Sequence, residues 1–146
     1  MQNHDEHMID IAWPSYNLNV RVRLFEKQAP KLCNLIWQVL PFESIEVHSM
    51  VAGTMVYSPT PIVTTAVENP KLLTQLKPGD CTYANFSQNL SIIYGGMNEP
   101  LAHNHIARII ESDIPTMQIM GERIWGEMIK PYEKKKPVHV IYSRVE

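Results

Sequence analysis

The stretch VRVRLFEKQAPKLCNLIWQVLPFE, Val20 to Glu43, contains a change of hydrophobic period that decides how the rest of the chain is read. In its first part Val20, Val22 and Leu24 alternate with Arg21 and Arg23. That period of two puts one face of a strand in a core and the other in water. After the charged turn Glu26 to Gln28, Pro30 suits a first helical turn, and Leu32, Leu35, Ile36, Val39 and Leu40 recur at helical spacing. Pro41 ends the helix, because a residue before proline is pushed away from the helical region.

Outward from this unit the chain reads as short strands. From Phe42 to Ala66 the segments SIEVHSMVAG and TMVYSP are separated by Gly53, and SPTP and the β-branched run IVTTAV follow; all are predicted as strands joined by tight turns. Pro78 and Gly79 mark a turn before CTYANF, and a polar SQN turn separates that strand from LSIIYGG. HIARII, His105 to Ile110, is a further strand. The helical period then returns, with Asp113 as N-cap, Pro115 in the first turn, and Met117, Met120, Ile124, Trp125 and Met128 on one core-facing stripe. A solvated turn at Lys134 to Lys136 leads into a closing strand, PVHVIYSRV. Many short strands with two separated helices and no βαβ alternation predict a mainly β protein, a closed antiparallel barrel with a helix over each open end. The barrel domain is placed at residues 17–146, with residues 1–16 as an N-terminal arm.

The chain has 146 residues, 45% hydrophobic and 19% charged, with a formal charge of -2. That length buries a core without disulfides, and that charge offers no basic face to nucleic acid. Cys33 and Cys81 fall in a helix and a strand, as buried free thiols of a reducing compartment. MQNHDEHMIDIA lacks the basic start and apolar core of a signal peptide, and no apolar run reaches the roughly 20 residues that span a bilayer. The expectation is a soluble, cytoplasmic protein without a membrane or nucleic-acid partner. HDEH, His4 to His7, precedes the first predicted strand and is read as part of a mobile arm, not as a metal site. Trp13 to Tyr16, WPSY, is read as a dimer contact on that arm.

Ala29, Pro30, Lys31, Asn34, Leu35 and Leu40 together resemble the opening of a cyclophilin, where a strand ending in an acidic turn leads to an A-P-K-T-type helix. Leu40 to Glu43, Pro78 to Tyr83, and Tyr94 with Gly95 are similar to the L-P-F-E, P-G-D-x-x-Y and Y-G patterns of small bacterial and archaeal cyclophilin-like proteins of uncharacterised function. The resemblance covers roughly residues 17 to 145 and implies an eight-stranded barrel. Where prolyl isomerases of that fold carry an arginine after an F-H pair, this chain has Val47, His48 and Ser49, and no aromatic strand lines a proline pocket. Efficient isomerisation is not expected from it.

In PLAHNHIARII, Pro100 to Ile110, strand alternation places His103 and His105 on one wall and Arg108 on the other. Two imidazoles on one wall can move a proton near neutral pH or bind a ligand. They can also supply two ligands to a zinc-like ion, if His48, Glu46 or Glu99 supplies a third. His48 lies two residues after Glu46 on the same strand face, where a carboxylate would orient the ring. Tyr57 and Tyr94 end apolar runs, a place where a phenol keeps its ring buried and its hydroxyl at a cavity mouth. Gly95 and Gly96 open GGMNEP, a loop whose backbone donors would approach a ligand.

The leading expectation is a barrel that binds a small polar metabolite, a carboxylate or amide, in a cleft beside one sheet. His48, His105 and Tyr94 are the expected acid/base residues. Glu46, Tyr57, Gly95, Gly96 and His103 are the expected binding residues, with no cofactor. A lyase, synthase or hydrolase reaction is conceivable on this scaffold, since the opine synthases carry a domain that looks cyclophilin-like. Two alternatives stand beside it: a peptide-binding module or weak prolyl isomerase using the same groove, and a metal-dependent hydrolase built on His103 and His105.

Overall fold

The computed structural model describes residues 6–146. Nine strands and two α-helices follow in chain order: β1 (Met8–Trp13), β2 (Leu18–Leu24), α1 (Pro30–Val39), β3 (Phe42–His48), β4 (Gly53–Pro59), β5 (Pro70–Leu72), β6 (Asp80–Ala84), β7 (Asn89–Met97), β8 (Ala102–Ile109), α2 (Ile114–Met128) and β9 (Val138–Arg144). Eight strands run in the order β2-β1-β9-β3-β4-β7-β6-β8, and β8 pairs back onto β2 to close the barrel. Closure leaves none of these eight strands with an edge open to other chains. The ninth strand, β5, pairs with the start of β8.

The interior is filled by the alternate residues that the period of two selects. Val20, Val22 and Leu24 of β2 are at most 1% exposed, and Ile9, Ile11 and Trp13 of β1 are buried with them. Leu32, Cys33 and Ile36 of α1 and Met117, Met120 and Ile124 of α2 pack into the same core. Burial of each such apolar side chain contributes roughly 1.5–3 kcal/mol, so the two helices are held by their stripes more than by propensity. At the start of α1 the exposed amides are satisfied from a distance: Glu68 Oε1 accepts from the Leu32 amide at 2.8 Å and Oε2 from the Lys31 amide at 3.2 Å.

Four expectations are corrected. The segment read as the end of an arm forms β1, which pairs along its whole length with β2 and from Ile9 to Ala12 with β9. Trp13 is fully buried in the barrel and does not wait for a second subunit. His4 lies outside the described residues, whereas His7 stacks on Trp37 with ring centroids 4.0 Å apart. The run IVTTAV is no strand: Ile62 to Val67 is irregular, and side chains bond its carbonyls in place of a ladder. Tyr83 OH donates to the Ile62 carbonyl at 2.8 Å, and Asn85 Nδ2 donates to those of Thr64 and Ala66 at 3.0 and 2.9 Å. Trp125, predicted on the core stripe of α2, is instead 37% exposed.

Candidate functional site

The two histidines of β8 both point away from the barrel interior, as alternation requires, but they do not share a site. Between them Asn104 is 3% exposed, with Nδ2 donating to the Tyr83 carbonyl and to Asn85 Oδ1 and Oδ1 accepting from the Glu68 amide. Asn104 therefore fastens the irregular 60–69 segment to the sheet. His105 meets another cluster: Nε2 lies 3.0 Å from Asp80 Oδ1, out of alignment for a hydrogen bond, and its ring stands edge-on to Phe25.

Arg108 belongs to the same cluster, contrary to the alternation drawn from the sequence. The register of β6 on β8 pairs Cys81 with Ala107 and Thr82 with His105, so Ile106 is an extra residue, a β-bulge. Ile106 and Ala107 both face the core, and the alternation is reset so that Arg108 emerges beside His105. Arg108 Nη1 donates to Asp80 Oδ1 at 2.9 Å and to the Pro78 carbonyl at 3.0 Å. Burial by itself would raise the Asp80 carboxyl; the His105 ring, the Lys77 amide and the Arg108 guanidinium outweigh it and hold the group below its ordinary value. Replacing Asp80 by Asn is expected to cost about 1–2 kcal/mol at pH 7, the loss of charge-assisted bonds. A carboxyl with a depressed folded pKa stabilises above its unfolded value of 3.8 and loses that contribution as pH falls through the acid range. Urea unfolding at pH 7 and at pH 3 should therefore show the penalty shrinking at the lower pH.

His48 and Tyr94, separated by 46 residues, form a pair. His48 ends β3 and is 6% exposed; its Nδ1 lies 2.7 Å from the Ser49 carbonyl and its Nε2 lies 2.5 Å from Tyr94 OH. A carbonyl can only accept, so Nδ1 carries the proton, and in the neutral ring Nε2 accepts the phenolic O–H. Burial, with a smaller contribution from Glu122, pushes the Tyr94 phenol up to about 12, so it stays protonated. Glu46 does not orient this ring, as the sequence had suggested, since both ring nitrogens are already engaged. The pair borders a cleft of ≈ 320 Å³ whose other walls include Trp125, Thr54 and Asn98, with no charged side chain in its lining.

A second concavity, of ≈ 330 Å³, lies across the loop 49–52 on the outer face of the sheet. His103 is at its floor, with Nδ1 3.0 Å from the Thr82 hydroxyl and the ring 6% exposed. Tyr57 and Ser91 also line it. Burial lowers the His103 pKa, which keeps that ring neutral at neutral pH. Ser49, Met50 and Val51 border both spaces, so the loop divides one broad depression into two.

The remaining expected residues fall elsewhere. Glu46 is 2% exposed, and neither of its carboxyl oxygens has a hydrogen-bond partner. Burial raises it to about 8, against smaller lowering effects of Trp13 and Ser58. Gly95 and Gly96 are part of β7, not of a loop. A Cβ at Gly95 would lie 2.6 Å from Thr54 Cγ2, so this glycine makes room for a side chain. Among the described residues no group of three or more His, Cys, Asp or Glu is set to hold a metal ion. Of the third ligands considered for His103 and His105, His48 is tied to Tyr94, Glu46 is sealed in, and Glu99 lies in the groove with His103 alone. No helix of the described residues is long and apolar enough to cross a membrane.

Comparison with solved structures places McbB, solved in complex with tryptophan, near this chain: TM-score 0.85 and 25% identity over 93% of this chain and 44% of McbB. The chain thus spans less than half the length of McbB. The hypothetical protein AF2241 from Archaeoglobus fulgidus is similar in fold, with TM-score 0.64 and 17% identity over 99% of this chain and 98% of that one. Neither is described as a cyclophilin, and the likeness to cyclophilins stays at the level of the barrel. No curated protein matches the chain. A family described as a protein of unknown function, DUF3830, matches residues 11–133, and the chain belongs to that family.

Proposed function

We propose that this barrel binds a small, uncharged polar metabolite in the cleft beside His48 and moves a proton on it through Tyr94. The observation that carries the reading is the chain of contacts Ser49 carbonyl, His48 Nδ1–H, His48 Nε2, Tyr94 O–H, which holds one tautomer at a cleft wall. A ligand donor that bonds to the Tyr94 oxygen gives up its proton as the phenolic proton passes to Nε2. The imidazolium so formed keeps its Nδ1–H on the Ser49 carbonyl. No standing phenolate is needed, in keeping with a phenol held near 12. The uncharged lining favours an amide over a carboxylate, and Trp125 offers a flat apolar surface. The tryptophan bound by McbB supports a small-molecule ligand for the fold.

Tyr94→Phe removes only the hydroxyl and keeps the ring. Thermal unfolding with L-tryptophan, L-tryptophanamide and simple cyclic amides should identify a stabiliser of the parent whose effect is lost in Tyr94→Phe. A ligand at a hundred times its Kd contributes about 2.7 kcal/mol, a readily measured shift. For any such compound that is turned over, kcat should fall about 10²–10⁴-fold in the variant, the usual worth of general acid–base catalysis. Equal stabilisation of parent and variant, or none in the parent, refutes the reading.

A further inference from the structure

We infer that the groove on the other side of loop 49–52 is a second ligand site, selective for a small organic ammonium carried on an apolar body. This goes beyond the proton-transfer cleft and does not depend on it. The groove joins features that a merely solvated sheet face does not need together. Its rim is apolar and strongly exposed: Met50 is 69%, Val51 81% and Phe86 71% accessible, and Leu101 completes it at 37%. A cluster of exposed large apolar side chains around a concavity is the mark of a binding surface.

The floor sets buried polar groups among the apolar Ala52, Met55 and Leu73. His103 uses Nδ1 on the Thr82 hydroxyl, and among the described residues Nε2 has no partner. Ser91, 1% exposed, presents its hydroxyl to the same lining, and Tyr57 adds a phenol. When Nδ1–H donates to Thr82, Nε2 becomes an acceptor facing the groove, so the floor offers acceptors from the imidazole, the hydroxyl and the phenol. The only ionised side chain in the lining is Glu99, and no lysine or arginine joins it. Within the lining an anion would meet no counter-charge and one like charge, and Lys71, opposite His103 on β5, stands outside it. An ammonium would meet Glu99 at the wall and three acceptors beneath, with its apolar body against Phe86, Met50 and Val51.

Phenethylamine and 3-phenylpropionate have the same apolar body and opposite charges, and 3-phenylpropionamide is their neutral counterpart. Isothermal titration of each into the untagged chain should show phenethylamine binding at least about tenfold more tightly than 3-phenylpropionate, a difference expected of one charge in a partly dry site. Phe86 and Glu99 are exposed and border this groove alone, so Phe86→Ala and Glu99→Gln should fold as the parent does, which thermal unfolding verifies. Phe86→Ala should weaken phenethylamine about tenfold, as loss of an aromatic anchor does. Glu99→Gln should narrow the preference over the neutral amide, and Tyr94→Phe should leave both unchanged. A preference for 3-phenylpropionate, equal affinity for the three compounds, no binding, or loss in Tyr94→Phe with none in Phe86→Ala overturns the assignment. The last of these would move the ligand to the His48 cleft, so the two readings fail separately.

Discussion

Glu46→Gln is expected to raise the melting temperature at pH 8 to 9 by about 10 °C and to leave it almost unchanged at pH 5. Glu46 sits among Trp13, Ser58 and Tyr142 in the barrel interior, 2% exposed, with neither oxygen hydrogen-bonded and Trp13 Nε1 likewise without a partner. Nearby, the Ser58 hydroxyl is spent on Tyr142 OH. An ionised carboxylate in such a place has lost its water and gained too little in return. The carboxyl therefore stays protonated in the folded chain up to about pH 8, against 4.5 for the free group. The sign follows from proton counts: between these values the folded state holds a proton that the unfolded state has released. Stability consequently falls as pH rises through that window and levels off above it.

Across the whole window the cost approaches about 5 kcal/mol, at about 1.4 kcal/mol for each tenfold change in proton affinity. Relaxation of the barrel and entry of water reduce it. Each kcal/mol moves the midpoint of a domain of this size by about 2–4 °C. Gln has nearly the shape of the protonated acid and cannot ionise, so its curve should lack the decline. Other titrating groups, His103 among them, act equally on both proteins and cancel in the difference. Melting curves of parent and variant between pH 5 and pH 9 give that difference directly. A gap that does not widen toward pH 8 would mean that the carboxylate is hydrated or paired. The same burial explains why Glu46 serves neither concavity in the readings above.

What could be read beforehand follows from how local each signal is. The strand Leu18–Leu24 and helix Pro30–Val39 announce themselves because period, proline placement and turn chemistry agree within a few residues. Ile9, Ile11 and Trp13 carry the same alternation as β2. The arm expected at residues 1–16 follows from the polar residues before β1, not from a missing signal. Ile62 to Val67 failed in the opposite direction. β-branched residues fit a pleated surface, but whether a partner strand is present is a tertiary matter. The bulge at Ile106 contains no glycine to betray it, and a single extra residue was enough to bring Arg108 round to Asp80. His48, Tyr94, Tyr57 and His103 are each recognisable as chemistry-bearing side chains beside apolar runs. Their sorting into two pairs on either side of one loop depends on register and on which helix covers them, neither of which is written locally.

Gly121→Ala is expected to lower stability by about 2–3 kcal/mol and to break the His48–Tyr94 pair, although residue 121 touches neither ring nitrogen nor ligand. In a helix interior the exchange ordinarily favours alanine, by up to about 1 kcal/mol. Here a Cβ would lie 2.4 Å from both Cε1 and Cζ of Tyr94 and 2.7 Å from Cδ1. The tyrosine ring cannot step aside freely, since its hydroxyl is held by His48 Nε2 and the His48 ring stands edge-on to it at 5.6 Å. Gly126 supplies a control in the same helix, because nothing lies within 4 Å of a Cβ placed there. Gly126→Ala should be neutral or slightly stabilising while Gly121→Ala is not. Tyr94→Leu removes the atoms that a methyl group at 121 would meet, so the double variant Tyr94→Leu with Gly121→Ala should be more stable than the sum of the single changes by more than about 1 kcal/mol. Unfolding the four proteins in urea measures that coupling. If Gly121→Ala behaves like Gly126→Ala, the phenol is free to move and its hydroxyl is not held at a fixed distance from His48 Nε2. If the coupling appears, α2 is the element that fixes the distance across which Tyr94 would pass its proton.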